Sequence, residues 1–204
     1  MRRPRLSRDD VEIEERTTPF RGFMRVDRYR LRHRTHEGSW TPTIALECLH
    51  RGYTVSVLPY DPWADAVVLV EQFRLGAYAA GLDPWVTEAV AGTIDGDEDP
   101  EATARREVVE EIGRPVDRLE SIGRFLLVSG ASTETTAMYC GRVDSEGAGG
   151  VHGLADEAED ILVRVLPAAE AIERVADPRF ATGYTAIPLQ WLALNRARLL
   201  EEWA

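Results

Sequence analysis

Cysteine is nearly absent: the 204 residues hold two, Cys48 and Cys140. Two such residues make neither a disulfide framework nor a metal-binding spacing, so a reducing cytoplasm is the expected setting and both thiols are expected inside strands. Long apolar runs are missing as well. None approaches the ~20 residues of a membrane-spanning helix, and Met1-Arg2-Arg3-Pro4 leads into polar sequence rather than the apolar stretch of a secretory signal. No membrane partner is expected. A net positive charge is missing too, the formal net charge being −11, which argues against a polyanion as partner. The exception is residues 1–35, where eleven arginines stand against six acids. There arginine alternates with Tyr29, Leu31 and His33, as in a strand with one solvated face. The segment is therefore read as an aid to phosphate binding or subunit pairing, and no nucleic-acid partner is expected. What remains, 44% hydrophobic and 29% charged, is ordinary for a globular protein with a core of its own.

Alternation of apolar and polar residues predicts strands over 11–16, 22–34, 43–48, 53–60, 66–73, 86–90, 119–128, 135–143 and 161–166. Helices are predicted over 100–112, 167–174 and 186–203. Residues 145–160 read as a glycine-rich, acidic loop. Many strands with one central and two late helices make a mixed α/β fold. A boundary at about residue 52 separates an N-terminal antiparallel sheet, 1–52, from the main domain, 53–204.

The densest chemistry lies at 92–113, GTIDGDEDPEATARREVVEEIG. Asp99 suits an N-cap, Pro100 the first helical position, and Gly113 followed by Pro115 the stop. On that helix Glu107, Glu110 and Glu111 fall at i, i+3 and i+4, so the carboxylates share one side, while Ala104, Val108 and Ile112 form a neighbouring apolar stripe. Like charges at this spacing cost roughly 0.2–0.5 kcal/mol. A hard divalent cation would turn that penalty into a ligand set. Taken alone, REVVEEIG is as readily a solvated face as a metal site.

In full register the segment resembles the Nudix box, G-x5-E-x7-R-E-U-x-E-E-x-G-U with U apolar. Gly92, Glu98, Arg106, Glu107, Val108, Glu110, Glu111 and Gly113 match, and Arg114 stands where an apolar residue is usual. The resemblance implies an α/β/α sandwich that hydrolyses nucleoside diphosphates linked to another moiety. FRGF (20–23), VEQFRLGAY (70–78), PWVTEAVAG (84–92), GVHGLADEAEDI (150–161) and the C-terminal 187–204 extend the likeness to the bacterial ADP-ribose pyrophosphatase branch, over nearly the whole chain. That branch implies the N-terminal sheet and a homodimer in which this sheet contributes to the partner's site.

Carried over on this basis, Glu107 and Glu111 would bind Mg²⁺, or Mn²⁺ in its place, with Glu110, the Ala91 carbonyl and Glu159. Gly92 would let the chain approach the ions, and Glu98 with Arg106 would hold the box loop. Glu157 would act as general base, with His152 as the competing candidate. Arg74 would bind phosphate or the terminal ribose, Phe23 would stack on adenine, Glu47 would hydrogen-bond it, and Ser129 and Glu134 would line the substrate. Without the likeness, the 156–160 segment reads as a solvated acidic loop and Arg74 as a surface arginine at a strand end. Two departures bear on the substrate. Ser129-Gly130 replaces a proline, and Ala45-Leu46-Glu47 lacks a phosphate-contacting arginine. The expected reaction is Mg²⁺-dependent cleavage of ADP-ribose to AMP and ribose 5-phosphate. The alternatives are GDP-mannose or ADP-glucose as substrate, or a non-catalytic ADP-ribose-binding regulator.

Overall fold

A computed structural model describes residues 5–153, 159–180 and 182–204. The chain forms two compact units, one running to Gly52 and taking in Leu126–Glu134, the other made of Tyr53–Phe125 and Thr135–Ala204.

In the first unit β1 (Val11–Arg21), β2 (Arg25–His33) and β3 (Ile44–His50) form an antiparallel sheet in that order. β1 runs five residues beyond its predicted end, through Pro19, because as an edge strand it tolerates a residue without a ladder N–H. Charge pairs across the strands absorb the arginines: Arg28 with Glu47 at 2.8 Å, Arg32 with Glu12 at 2.6 Å, and Arg30 with Glu14 at 3.7 Å. Asp27 is fully buried and takes the Arg16 Nε at 2.8 Å, the Thr18 hydroxyl at 2.8 Å and the His50 Nε2 at 3.1 Å. The sequence holds no lysine, so every cation in these pairs is a guanidinium, whose planar fork suits carboxylates. Leu126–Glu134 joins this unit through Leu49, whose N–H donates to the Ala131 carbonyl at 2.8 Å and whose carbonyl accepts from Thr133 at 3.0 Å. The strand predicted over 119–128 accordingly stops at Phe125.

The second unit is an eight-stranded mixed sheet. β4 (Tyr53–Asp61), β5 (Ala66–Phe73), β8 (Arg118–Phe125), β9 (Thr135–Arg142), β10 (Gly150–His152) and β11 (Ile161–Pro167) run in the order β10-β11-β5-β4-β9-β8. β4 and β9 are parallel, and β6 (Trp85–Glu88) and β7 (Val90–Thr93) add to β5 and β4. Alternation sorts the two faces. Val68 and Val70 pack with Ala104, Val108 and Ile112 of α2 (Pro100–Ile112), whereas Val67 and Leu69 pack with Ala168, Leu189, Leu192 and Trp203. The latter residues belong to α3 (Ala168–Glu173) and α4 (Gly183–Trp203). The result is the α/β/α sandwich. A short helix, α1 (Leu75–Ala79), was not predicted, since five residues are too few to show a helical period. The acidic loop contains β10, also not predicted. No helix among the described residues is long and apolar enough to cross a membrane.

Two features of this unit depend on α4. The single strand expected over 86–90 breaks at Ala89, where the chain leaves β5 for β4. The freed Ala89 N–H donates to the buried Thr185 hydroxyl at 3.0 Å. α4 itself begins three residues before the predicted start and, as expected, runs through Pro188. Proline leaves the Tyr184 carbonyl without its helical donor, and the Ser56 hydroxyl supplies one at 2.9 Å.

Asp61 ends β4 and is buried. Its Oδ1 accepts from Trp63 and Ala64 at 2.9 and 3.0 Å, and its Oδ2 from the Ser145 N–H and hydroxyl at 2.8 and 2.6 Å. Burial alone would raise its pKa, but the Ser145 and backbone donors outweigh it and hold the carboxyl below its usual range. Its stabilising effect is therefore complete above the ordinary carboxylate range and fades as pH falls through the depressed value. Asp61→Ala is expected to cost about 3 kcal/mol at neutral pH, read as a lower urea midpoint at unchanged slope. An unchanged midpoint would mean that water serves these donors equally well.

Candidate active site

α2 is oriented by local chemistry. The Asp99 carboxylate caps it, accepting from Ala102 at 3.2 Å, Pro100 opens it, and Gly113 at φ 67° closes it with its N–H on the Val109 carbonyl. Ala104, Val108 and Ile112 are buried on the sheet. That packing fixes the rotation of the helix and turns Glu107 and Glu111 toward β7.

The three carboxylates then diverge. Glu110, half-exposed, lies 2.8 Å from Arg106. Arg106 also reaches Glu107 at 3.0 Å and Glu98 at 3.5 Å. Desolvation works against its charge, yet the surrounding carboxylates raise its pKa. Glu107 is pushed up by burial despite Arg106, with Glu110 and Glu159 adding repulsion. Glu111 is the extreme case. It is 4% exposed, and its Oε2 is buried without a hydrogen-bond partner among the described residues. Desolvation drives its pKa well up, Glu107 and Glu159 reinforce this, and the Arg74 guanidinium and Ala91 backbone oppose it.

Opposite them runs Ala91-Gly92 of β7. A Cβ on Gly92 would stand 2.0 Å from Cδ and Oε1 of Glu107, so the backbone lies directly against that carboxylate. Among the described residues no three His, Cys, Asp or Glu side chains converge tightly enough to hold an ion as they stand. Glu107 and Glu110 are instead both paired with Arg106. The donor set nevertheless fits a hard divalent cation. It is all oxygen, it includes an orphaned buried carboxylate oxygen, and it has a backbone cradle that any side chain would fill.

Arg74 stands at the N-cap position of α1 at the end of β5, and its Nε donates to Glu88 at 2.5 Å. Glu159 lies beside Gly153, where a Cβ would meet its own Cβ at 2.7 Å. Glu157 lies outside the described residues. The imidazole of His152 shares a hydrogen bond with the Gly149 carbonyl at 2.9 Å and packs against Gly113, which makes it a support of the helix end. Arg114, the departure from the box, donates to the Glu146 carbonyl and so holds the 145–149 turn. Phe23, 98% exposed in the turn after β1, belongs to the first unit, as do Glu47, Ser129 and Glu134. Glu47 is paired with Arg28, Ser129 is exposed, and Glu134 lies 3.8 Å from Arg51. Glu88 is not among the residues expected at the site. An acid inside the buried run VTEAV signals a paired charge, since an unpaired one is prohibitive there.

Fold and site together define a hydrolase of the Nudix type. The chain belongs to the NUDIX domain family, whose profile matches residues 50–185. It is 42% identical over 199 residues to the ADP-ribose pyrophosphatase of Escherichia coli (strain K12), covering 98% of this chain and 95% of that protein. The ADP-ribose pyrophosphatase of Haemophilus influenzae is 36% identical over 201 residues, covering 97% of this chain and 93% of that protein. A GDP-mannose pyrophosphatase of Yersinia pestis is 31% identical over 180 residues, covering 86% and 87%. A crystal structure of an ADP compounds hydrolase matches with a TM-score of 0.71 at 19% identity, over 94% of this chain and 98% of that one, a likeness of fold.

Proposed function

We propose that this protein hydrolyses the pyrophosphate bond of ADP-ribose to AMP and ribose 5-phosphate, with Mg²⁺ as cofactor and Mn²⁺ able to replace it. The observation that carries the substrate is the 42% identity to an ADP-ribose pyrophosphatase across 98% of the chain. The site supports the reaction type. Glu107, Glu111 and the Ala91 carbonyl would hold the metal, with Glu110 and Glu159 beside them. Divalent ions bound there would neutralise the diphosphate and acidify the attacking water. Glu157 takes the proton from that water. Arg106 keeps the box loop on α2 through Glu98 and balances Glu107 and Glu110 until they are needed. Arg74 binds a phosphate oxygen. Phe23 and Glu47 serve the base, where stacking is worth about 1–3 kcal/mol, and Ser129 and Glu134 line the substrate.

A cytoplasmic homodimer paired through the N-terminal sheet is part of the same proposal. Support comes from the free Cys48 and Cys140 and from β1, which is exposed along its whole length with Val11, Ile13 and Phe20 uncovered.

The second reading, GDP-mannose as substrate, is favoured by the Yersinia relative and by Leu46 and Ser129, which depart from the ADP-ribose branch. Steady-state assays with Mg²⁺ on ADP-ribose, ADP-glucose and GDP-mannose separate the two. ADP-ribose is expected to lead in kcat/KM by at least about tenfold, the scale on which a few pocket contacts discriminate. Equal turnover of GDP-mannose overturns the substrate and keeps the chemistry. No turnover of any of them points to a binding protein.

A further inference from the structure

Glu88 is a buried acid that the reaction as described does not use. It lies on β6 opposite Val70 of β5, is 4% exposed, and among the described residues its partner is the Arg74 guanidinium, met through Nε at 2.5 Å. Arg74 sits four residues beyond Val70, where β5 gives way to α1. Its backbone is tied down separately, the N–H donating to the Pro84 carbonyl at 2.7 Å. Its side chain is 39% exposed against 5% for that of Glu88, so the carboxylate is the buried anchor and the guanidinium the exposed end. No described residue accepts from its two terminal nitrogens, while its charge is felt at Glu111.

We propose that Glu88 is a positioning residue, holding Arg74 by Nε so that the two terminal nitrogens stand as a fixed fork for the diphosphate of the substrate. An arginine bound at Nε cannot rotate its plane, and a planar fork binds phosphate oxygens in pairs. A free arginine at a strand end would spend rotamer entropy on each substrate bound. The inference rests on the proposal that a nucleoside diphosphate sugar is the substrate. The competing account makes the pair a structural tie between β5 and β6, with no bearing on phosphate.

A double-mutant cycle separates the two. Full-length wild type, Arg74→Ala, Glu88→Ala, Glu88→Gln and both doubles are assayed for kcat and KM on ADP-ribose with Mg²⁺, and for metal-free ADP-ribose affinity by calorimetry. Glu88→Ala is expected to lower kcat/KM about 10- to 30-fold, chiefly through KM, the scale of a misplaced binding group. Glu88→Gln, whose amide oxygen still accepts from Nε, is expected to recover to within about fivefold of wild type. In the Arg74→Ala background neither Glu88 substitution should lower it further, because coupled residues are not additive. Effects that multiply, or a Glu88→Gln protein no better than Glu88→Ala, overturn the inference. If Glu88→Ala fails to fold, the cycle with Glu88→Gln carries the same test. A wild type that binds ADP-ribose and cleaves no nucleoside diphosphate sugar sinks the proposed function, and the cycle is then read in affinity. A wild type that neither binds nor cleaves sinks both.

Discussion

Glu111→Gln is expected to lower kcat by at least about a thousandfold, a loss of roughly 4 kcal/mol from the barrier, while the metal-free protein becomes more stable. Both effects have one origin. Glu111 is buried with Oε2 unpartnered, and burial together with Glu107 and Glu159 makes its ionised form costly. A neutral amide of the same shape removes that cost and the oxygen that would ligate the metal. The sign follows from linkage. A carboxyl whose folded pKa is raised contributes most below its unfolded pKa, and stability is lost as pH rises through the folded value. Metal-free wild type should therefore lose stability above the ordinary carboxylate range, and Glu111→Gln should lose less. Mg²⁺ should raise the Tm of wild type, since a ligand of the folded state stabilises it by mass action, and should leave Glu111→Gln nearly unmoved. Retention of a tenth of wild-type kcat, or an equal Mg²⁺ shift in both proteins, would remove Glu111 from the metal site.

The helix that carries this residue was legible because its determinants are local. Asp99, Pro100 and Gly113 sit within a turn of its ends, and Ala104, Val108 and Ile112 keep one period, so the structure reproduces the predicted 100–112 span. The equal rank of its three carboxylates was not legible as different, since spacing places side chains on a helix face and says nothing about what covers them. Packing against β7 buries Glu111, and Arg106 takes Glu110. Elsewhere the structure turns on partners far along the chain. Ala89 interrupts a strand because Thr185, 96 residues later, receives its N–H. The helix expected over 186–203 does run through Pro188, and Ser56, 128 residues from Tyr184, serves the carbonyl that the proline leaves. Leu126–Glu134 leaves its strand for Leu49. In each case distant hydrogen bonds, rather than the local pattern, decide where the element runs.

Gly92→Ala is expected to lower kcat on the order of a hundredfold, since displacing a catalytic group by an ångström has that scale. The added methyl would stand 2.0 Å from the Cδ and Oε1 of Glu107 and 2.4 Å from its Cγ. No packing tolerates this, so one partner moves. The backbone of Gly92 is not the weaker one, because β7 is held to β4 by a continuous antiparallel pairing, with Gly92 opposite Val55. The end of the Glu107 side chain is the part free to yield. Its carboxylate is then pushed away from Gly92 toward Arg106, already 3.0 Å away. Gly92 does not adopt a positive φ, so alanine brings no backbone strain, and Tm should shift by only a few degrees, as for a change near 1 kcal/mol. The damage should appear as a higher Mg²⁺ concentration for half-maximal rate together with the lower kcat. A Gly92→Ala protein with wild-type kcat and Mg²⁺ dependence would show that Glu107 need not stand against β7 for catalysis. A large fall in Tm would instead assign the glycine to the packing of α2 on the sheet.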